Sequence, residues 1–419
     1  MGSNYKSIGN YIQLVDERNK GLKVKNLVGL SISKQFIKSV ANTIGTDMEN
    51  YKIIRQNQFA CSTMQVRRDK KMPLALYNDS EPAIISQAYP VFEINDTTKL
   101  LPEYLMMWFT RSEFDREACF HAVGGVRGSL EWEDFCGMQL PIPSLEKQQE
   151  IVREYHIIQN RIALNNQLIS KLEETAQAIY KQWFVDFEFP DENGKSYKSN
   201  GEKMVWCEEL EKEIPKGWEV EKLGKLIESF SRKHSFKKKE LIFFNTSDIL
   251  DGEFLHENYM NVDEMPGQAK KQIQLGDILY SEIRPANKRF ALVRIDADDY
   301  VVSTKLMVLR RINNKLSINR IYHLLTEDSF ILELQQSAEG RSGTFPQITF
   351  EEDLDLKPII IATEIIEDKW NKFLEAYYIQ LFSRKDETKK LKEIKDLLLA
   401  KMTRVEEIKE HRDHEKLFS

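Results

Sequence analysis

The sequence predicts an α+β protein: two α/β domains in tandem repeat, each followed by a long helix, with the two helices packed as an antiparallel coiled coil. Three observations predict it. One stretch, residues 144–190, keeps apolar residues at alternating spacings of four and three from Ile151 to Trp183, which is a heptad seam. A second long helical stretch closes the chain. The segments ahead of the two helices match each other at a nearly constant offset, the mark of an internal repeat.

Taken in order, residues 1–143 read as the first mixed α/β unit. GLKVKNLVGLSI, Tyr51–Cys61 and Ala83–Ile94 alternate or run apolar in strand fashion. Pro102–Phe120 has helical spacing, with Pro102 placed at the first turn. A glycine loop, HAVGGVRGS, follows, and Pro141 and Pro143 punctuate the approach to the long helix of residues 144–189. Its seam is Ile151, Tyr155, Ile158, Ile162, Asn165, Ile169, Leu172, Ala176, Ile179 and Trp183. A helix of about 40 residues would be about 60 Å long, the proportions of a spacer. Asn165 is either an accident of a tolerant seam or a polar residue that sets register.

WFVDFEFP reads as an aromatic strand, its rings closing the helix end as core. Residues 190–217 are polar and turn-rich and read as a connector. A second α/β unit spans 218–362, with strands at Leu241–Asn245, Asp277–Ser281, Ala291–Ile295 and Tyr300–Leu309. The second long helix and tail occupy 363–419. Its seam runs Ile366, Trp370, Phe373, Tyr377, Leu381, Leu391, Leu398, Met402 and Val405; Arg384 and Thr388 interrupt it, and its phase slips near Ile394. The repeat is carried by three matches. Asn57–Ser62 corresponds to Gly276–Ser281, 219 residues on; Ser86–Tyr89 to Ser303–Leu306 and Leu140–Ile142 to Lys357–Ile359, each 217 on.

Composition excludes several classes. With 419 residues, 41% hydrophobic and 30% charged, the chain has material for two or three cores. Its apolar runs are too short for a membrane span, and its beginning lacks the apolar segment of a signal peptide. Cys61, Cys119, Cys136 and Cys207 form no CxxC pair and read as reduced thiols of a cytoplasmic protein. No Walker A loop, HExxH pair, adenine-methyltransferase Asn/Asp-Pro-Pro-aromatic tetrapeptide or PD…ExK constellation occurs, so the reading is a non-catalytic binding and scaffolding chain with no metal site.

Net charge is −6, so any surface for DNA must be local. Basic, polar clusters stand at matching places. Gln65, Arg67, Arg68, Lys70 and Lys71 follow the central strand of the first unit; Arg284, Asn287, Lys288 and Arg289 follow its equivalent in the second. Arg127 and Arg341 lie in the paired glycine loops. Arg232, Lys233, Lys237 and Lys238 flank Phe236, and Lys34, in SISKQFIK, is a weaker counterpart in the first unit. Lysine and arginine neutralise phosphates, and arginine, asparagine and glutamine can bond base edges. A lone basic run reads more often as a solvated surface; the repetition at equivalent positions brings DNA contact level with that reading. For Arg127 and Arg341 the alternative is a tie between turn and carboxylate.

YKIIRQNQFACSTM, LPIPSLEKQQEIV and FVDFEFPDENGKSYKSNGEKMVWCEELEKEIPKGWEVEKLG, together with the repeat, resemble the specificity subunits of type I restriction–modification systems. The resemblance covers nearly the whole chain. It implies two target-recognition domains, each reading one half of a bipartite site in double-stranded DNA. It further implies helices that set the spacer and dock two DNA methyltransferase subunits, joined by motor-nuclease subunits in phage defence. S-adenosylmethionine, ATP and Mg would reside on those partners, and none on this chain. The alternatives are a coiled-coil protein adaptor without DNA binding, and a specificity element for a fused nuclease–methyltransferase.

Overall fold

A computed structural model describes residues 5–39, 45–124, 128–191, 193–342 and 344–403. They divide into two compact units, 1–167 with 385–419 and 168–384. Each long helix, Leu145–Tyr180 and Glu364–Lys401, contributes one end to each unit.

The first unit is built on a four-stranded antiparallel sheet in the order Ile12–Val15, Val91–Ile94, Phe59–Cys61, Leu74–Leu76. Phe59 and Phe92 stack across it at 5.0 Å, and Phe109 closes on both edge-on. Tyr5–Ser7 pairs with Gln139–Pro141, and two smaller pairs, Val28–Leu30 with Phe36–Lys38 and Lys52–Ile54 with Ala83–Ile85, flank the sheet. Gln148 is fully buried and satisfied. It accepts from the Leu101 amide (2.9 Å) and donates to the carbonyls of Lys99 (2.8 Å) and Pro143 (3.0 Å), tying the start of the long helix to the domain. At the other end of that helix's share of the unit, Arg161 meets Glu387 at 2.7 Å, while Ile151 shares a core with Leu399 and Met402. These contacts make the helix pair antiparallel.

The second unit repeats the plan. Its antiparallel sheet runs Ile227–Ser229, Leu306–Arg311, Ile278–Ser281, Phe290–Leu292, strand for strand the order of the first. Glu219–Lys222 pairs with Pro358–Ile361 as Tyr5–Ser7 does with Gln139–Pro141. The smaller sheet is larger here: Tyr259–Asn261, Glu240–Phe244, Tyr300–Ser303, Ala269–Gln272. Trp370, fully buried, gathers Trp183, Phe184 and Phe373 within 5.8 Å, so the helix ends close on an aromatic core, as expected of those rings.

All ten residues of the first seam are buried or half-buried, while Ile157 and Leu164 beside them are exposed. The second seam is more regular than expected. Leu374, Tyr377, Leu381, Arg384, Thr388, Leu391, Lys395, Leu398 and Met402 alternate at spacings of three and four and are all at least half-buried. Arg384 and Thr388 break the chemistry of the seam and not its geometry. The apparent slip at Ile394 arises because that residue is half exposed and outside the seam. Val405 lies outside the described residues.

Other expectations change. Pro102–Phe120 is two helices, Pro102–Phe109 and Ser112–His121, because Arg111 between them is extended and its guanidinium lies 4.2 Å over Trp108. Ala83–Ile94 breaks into two strands at the Ser86–Tyr89 turn. WFVDFEFP is no strand. Lys181–Val185 extends the first long helix as one π-turn, and Phe187 follows at φ 60°. Residues 190–217 carry a hairpin, Met204–Cys207 with Lys212–Pro215, whose Cys207 and Ile214 join the second unit's core. No described helix is long and apolar enough to cross a membrane. Among the described residues no group of His, Cys, Asp or Glu could hold a metal.

Candidate nucleic-acid interface

In each unit the strand at the middle of the main sheet ends in a tight basic turn. In the first, Phe59–Cys61 leads to one helical turn, Val66–Asp69, bracketed by Gln65 at φ 65° and Lys70 at φ 51°. In the second, Ile278–Ser281 leads to one turn, Pro285–Asn287, bracketed by Arg284 at φ 46° and Lys288 at φ 51°. Left-handed backbone at four residues with Cβ atoms is uncommon. Its recurrence at both ends of both turns marks one device built twice. Each turn meets the loop that follows the second small helix of its unit. The Leu130 amide donates to the Thr63 carbonyl at 2.9 Å, and the Ile348 amide to the Glu282 carbonyl at 2.8 Å. In the first unit a Cβ on Gly128 would fall 2.6 Å from that of Arg67, so this glycine is required by the close approach of the loop. In the second, the Arg284 amide reaches the Pro346 carbonyl at 3.1 Å.

These turns present exposed cationic and polar side chains. Arg67, Arg68, Lys70 and Lys71 face solvent in the first unit, Arg284 and Asn287 in the second, and Gln65 is half-buried. Arg68 pairs with its neighbour Asp69 at 2.6 Å. Arg67 makes no hydrogen bond or ion pair among the described residues, which leaves it available to a phosphate or a base edge.

Residues 66–174 and 215–393, more than half of the chain, match the family described as the type I restriction modification DNA specificity domain. The chain belongs to that family. Over 135 residues it is 45% identical to the type I restriction enzyme HindI specificity subunit of Haemophilus influenzae, a match covering 32% of this chain and 29% of that protein. Over 324 residues it is 26% identical to the type I restriction enzyme MjaIX specificity subunit of Methanocaldococcus jannaschii, covering 74% and 71%. The crystal structure of the S subunit of a type I restriction–modification system from M. genitalium has the same fold, at TM-score 0.59 and 14% identity over 96% of this chain and 97% of that one.

Within this specificity-domain chain, several residues expected at the interface have other work. Lys34 is buried, 2.8 Å from Asp115 and donating to the Phe109 carbonyl. Burial pushes its ammonium down against the opposing pull of Asp115. It is out of reach of a phosphate. Asp115 also accepts from the Met72 amide at 3.1 Å, so this pair anchors the end of the first basic turn. Lys288 is held by Asp328 at 2.8 Å, a hydrogen bond that raises its pKa. Arg289 donates to the carbonyls of Ser247 and Ile249, each at 3.0 Å. Arg341 closes the helix Asp328–Arg341 and pairs with Glu352 and Asp353, the turn-to-carboxylate tie. Lys238 pairs with Asp299. Arg232, Lys233 and Lys237 are exposed. Arg127 lies outside the described residues.

Sequence reasoning missed a matched pair. Lys52 donates to the Tyr89 carbonyl at 3.0 Å and Lys271 to the Leu306 carbonyl at 2.8 Å. Both ammonium groups are lowered by burial. They stand 219 residues apart, the offset of the neighbouring strand match, so extending that match five residues backwards would have found them. Each lysine pins the turn that crosses beside the basic turn of its own unit.

Proposed function

We propose that this chain is the DNA sequence-specificity subunit of a type I restriction–modification complex and contributes no bond-making or bond-breaking step. Each α/β domain reads one half of a bipartite site in double-stranded DNA through its basic turn and the loop hydrogen-bonded to it. The observation that carries this reading is the duplication of that coupled pair of loops on equivalent strands. A rigid sheet presenting cationic loops is suited to groove recognition, and a bipartite site needs the same reader twice. The long helices set the spacing between half-sites and dock two methyltransferase subunits, which flip the target base out of the duplex. Motor-nuclease subunits complete the complex, and S-adenosylmethionine, ATP and Mg belong to those partners. The setting is the cytoplasm.

The test is removal of one heptad from Ile158–Ile169 together with the facing heptad near Glu387. At 1.5 Å per residue this shortens the pair by about 10 Å, roughly three base pairs at 3.4 Å each. Methylome sequencing of cells carrying the complete system should show a shortened spacer between unchanged half-sites. Altered half-sites with an unchanged spacer would refute the assignment.

A further inference from the structure

The two domains share the lysine-pinned turn, yet they differ in what surrounds it. In the second, backbone hydrogen bonds lay four segments side by side. The Gln272 amide donates to the Arg232 carbonyl (2.9 Å) and the His234 amide to the Lys270 carbonyl (2.7 Å). The Thr304 amide donates to the Gln268 carbonyl (3.0 Å), and the Glu282 amide to the Lys305 carbonyl (3.3 Å), two residues before Arg284. Arg232, Lys233, Lys270 and Lys305 are exposed on these segments. Arg232, Lys233 and Lys270 have no ion-pair partner among the described residues, and Lys305 has only Glu282 at 3.8 Å. Lys271 is the half-buried strut beneath them, bonded to the Leu306 carbonyl.

The first domain lacks this. Arg18 bridges to Lys52 as Lys233 does to Lys271, but Arg18 is neutralised by Asp16 at 2.7 Å. The residue matching Lys305 is Ala88. The residue matching Lys270 is Tyr51, so at these matched places, among the described residues, the cationic strip belongs to the second domain.

Resting on the half-site reading above, we propose that Arg232, Lys270 and Lys305 form a track for the DNA phosphodiester backbone. The track continues the Arg284 turn and makes the second domain the main sequence-independent anchor. Three strand spacings of about 4.8 Å span roughly 14 Å, the axial rise of about four base pairs at 3.4 Å each. Charge complementarity selects the occupant: an exposed arginine and lysine without ion-pair partners among the described residues, beside a loosely paired Lys305, suit a polyanion. Glu282, on the strip's inner edge, faces Lys305 and leaves the outer cations free. Phosphate contacts position the duplex and carry no sequence information.

The experiment is a salt titration of DNA affinity by the chain copurified with its methyltransferase subunits, on the methylated duplex and on a scrambled one. Each lost phosphate contact makes the slope of log K against log salt shallower by about 0.9. The double variant Lys270→Gln/Lys305→Gln should lose about 1.8 from the slope, weaken both duplexes equally and leave the methylated sequence unchanged. Lys270→Arg/Lys305→Arg should restore the slope. An unchanged slope overturns the track. A loss confined to the methylated duplex also overturns it, because these residues would then be reading bases. If the unsubstituted complex fails to prefer the methylated duplex, the half-site reading falls, whereas a shallower slope in the double variant than in that complex would still support the cationic track.

Discussion

The two recognition domains solve the same mechanical problem with different chemistry. Each anchors a strained basic turn to an acidic residue in the first turn of the helix behind it. In the first domain the anchor is buried: Asp115 and Lys34 have side chains 10% and 6% exposed, and the same carboxylate holds the Met72 amide. In the second the anchor is open: Asp328 and Lys288 are 59% and 42% exposed. A buried pair that loses one partner leaves a charge stranded in low dielectric, whereas an exposed pair is replaced by water. The difference teaches that equivalent loops can be equally placed and unequally replaceable. Asp115→Ala should therefore cost about 3–5 kcal/mol. Urea unfolding of the full chain would measure it, and a loss under 1 kcal/mol would show that the first anchor is as open as the second.

The second domain has its own buried liability, at the helix ends. His323 is 6% exposed among Tyr180, Trp370 and Tyr377. Burial, with Arg320 adding to it, lowers its pKa to about 3. Glu367 close by is raised by burial, and Arg320 opposes that shift. The unfolded chain takes up a proton on this histidine near pH 6.5 and the folded chain does not until about 3. The stabilisation from keeping His323 neutral is thus complete above pH 6.5 and declines as pH falls through that window. By pH 5 the decline from this residue is about 2 kcal/mol. The second unit should melt before the first on mild acidification, and His323→Phe should reduce the gap. Hydrogen exchange resolved by unit would detect the order; simultaneous loss of both units would count against it.

Much of this was legible from sequence because periodicity and repetition report on backbones. The heptad from Ile151 to Trp183 and the 217–219 offsets are geometric signals, and the seam and the sheet orders follow them. Side-chain fates are decided at a distance and were not legible. Lys34 reads as a surface cation in SISKQFIK, but its partner Asp115 lies 81 residues away. WFVDFEFP alternates like a strand, yet the preceding helix runs on into it and Phe187 turns the chain at positive φ. Arg384 and Thr388 look like breaks because residue type was read as geometry. Thr388, Asn165 and their unpaired buried side-chain atoms show a seam that tolerates polar residues without changing phase.

The smallest expected effect is the sharpest check on the comparison. Asp328→Ala removes the open anchor of the second basic turn and should change stability by about 0–1 kcal/mol, the range for exposed pairs. The turn would keep its remaining restraints, the Gln335 side chain on the Ala286 amide at 3.1 Å and the Pro346 carbonyl on the Arg284 amide. It would gain a freed Lys288 ammonium at the interface. Affinity for random-sequence DNA should then hold or rise slightly with a steeper salt dependence, because one more cation is available to phosphates. Asp115→Ala should give no such gain, since its lysine is sealed inside the domain and cannot be offered to DNA. Equal stability losses in the two variants, or a fall in DNA affinity for Asp328→Ala, would mean that the second anchor is structural after all.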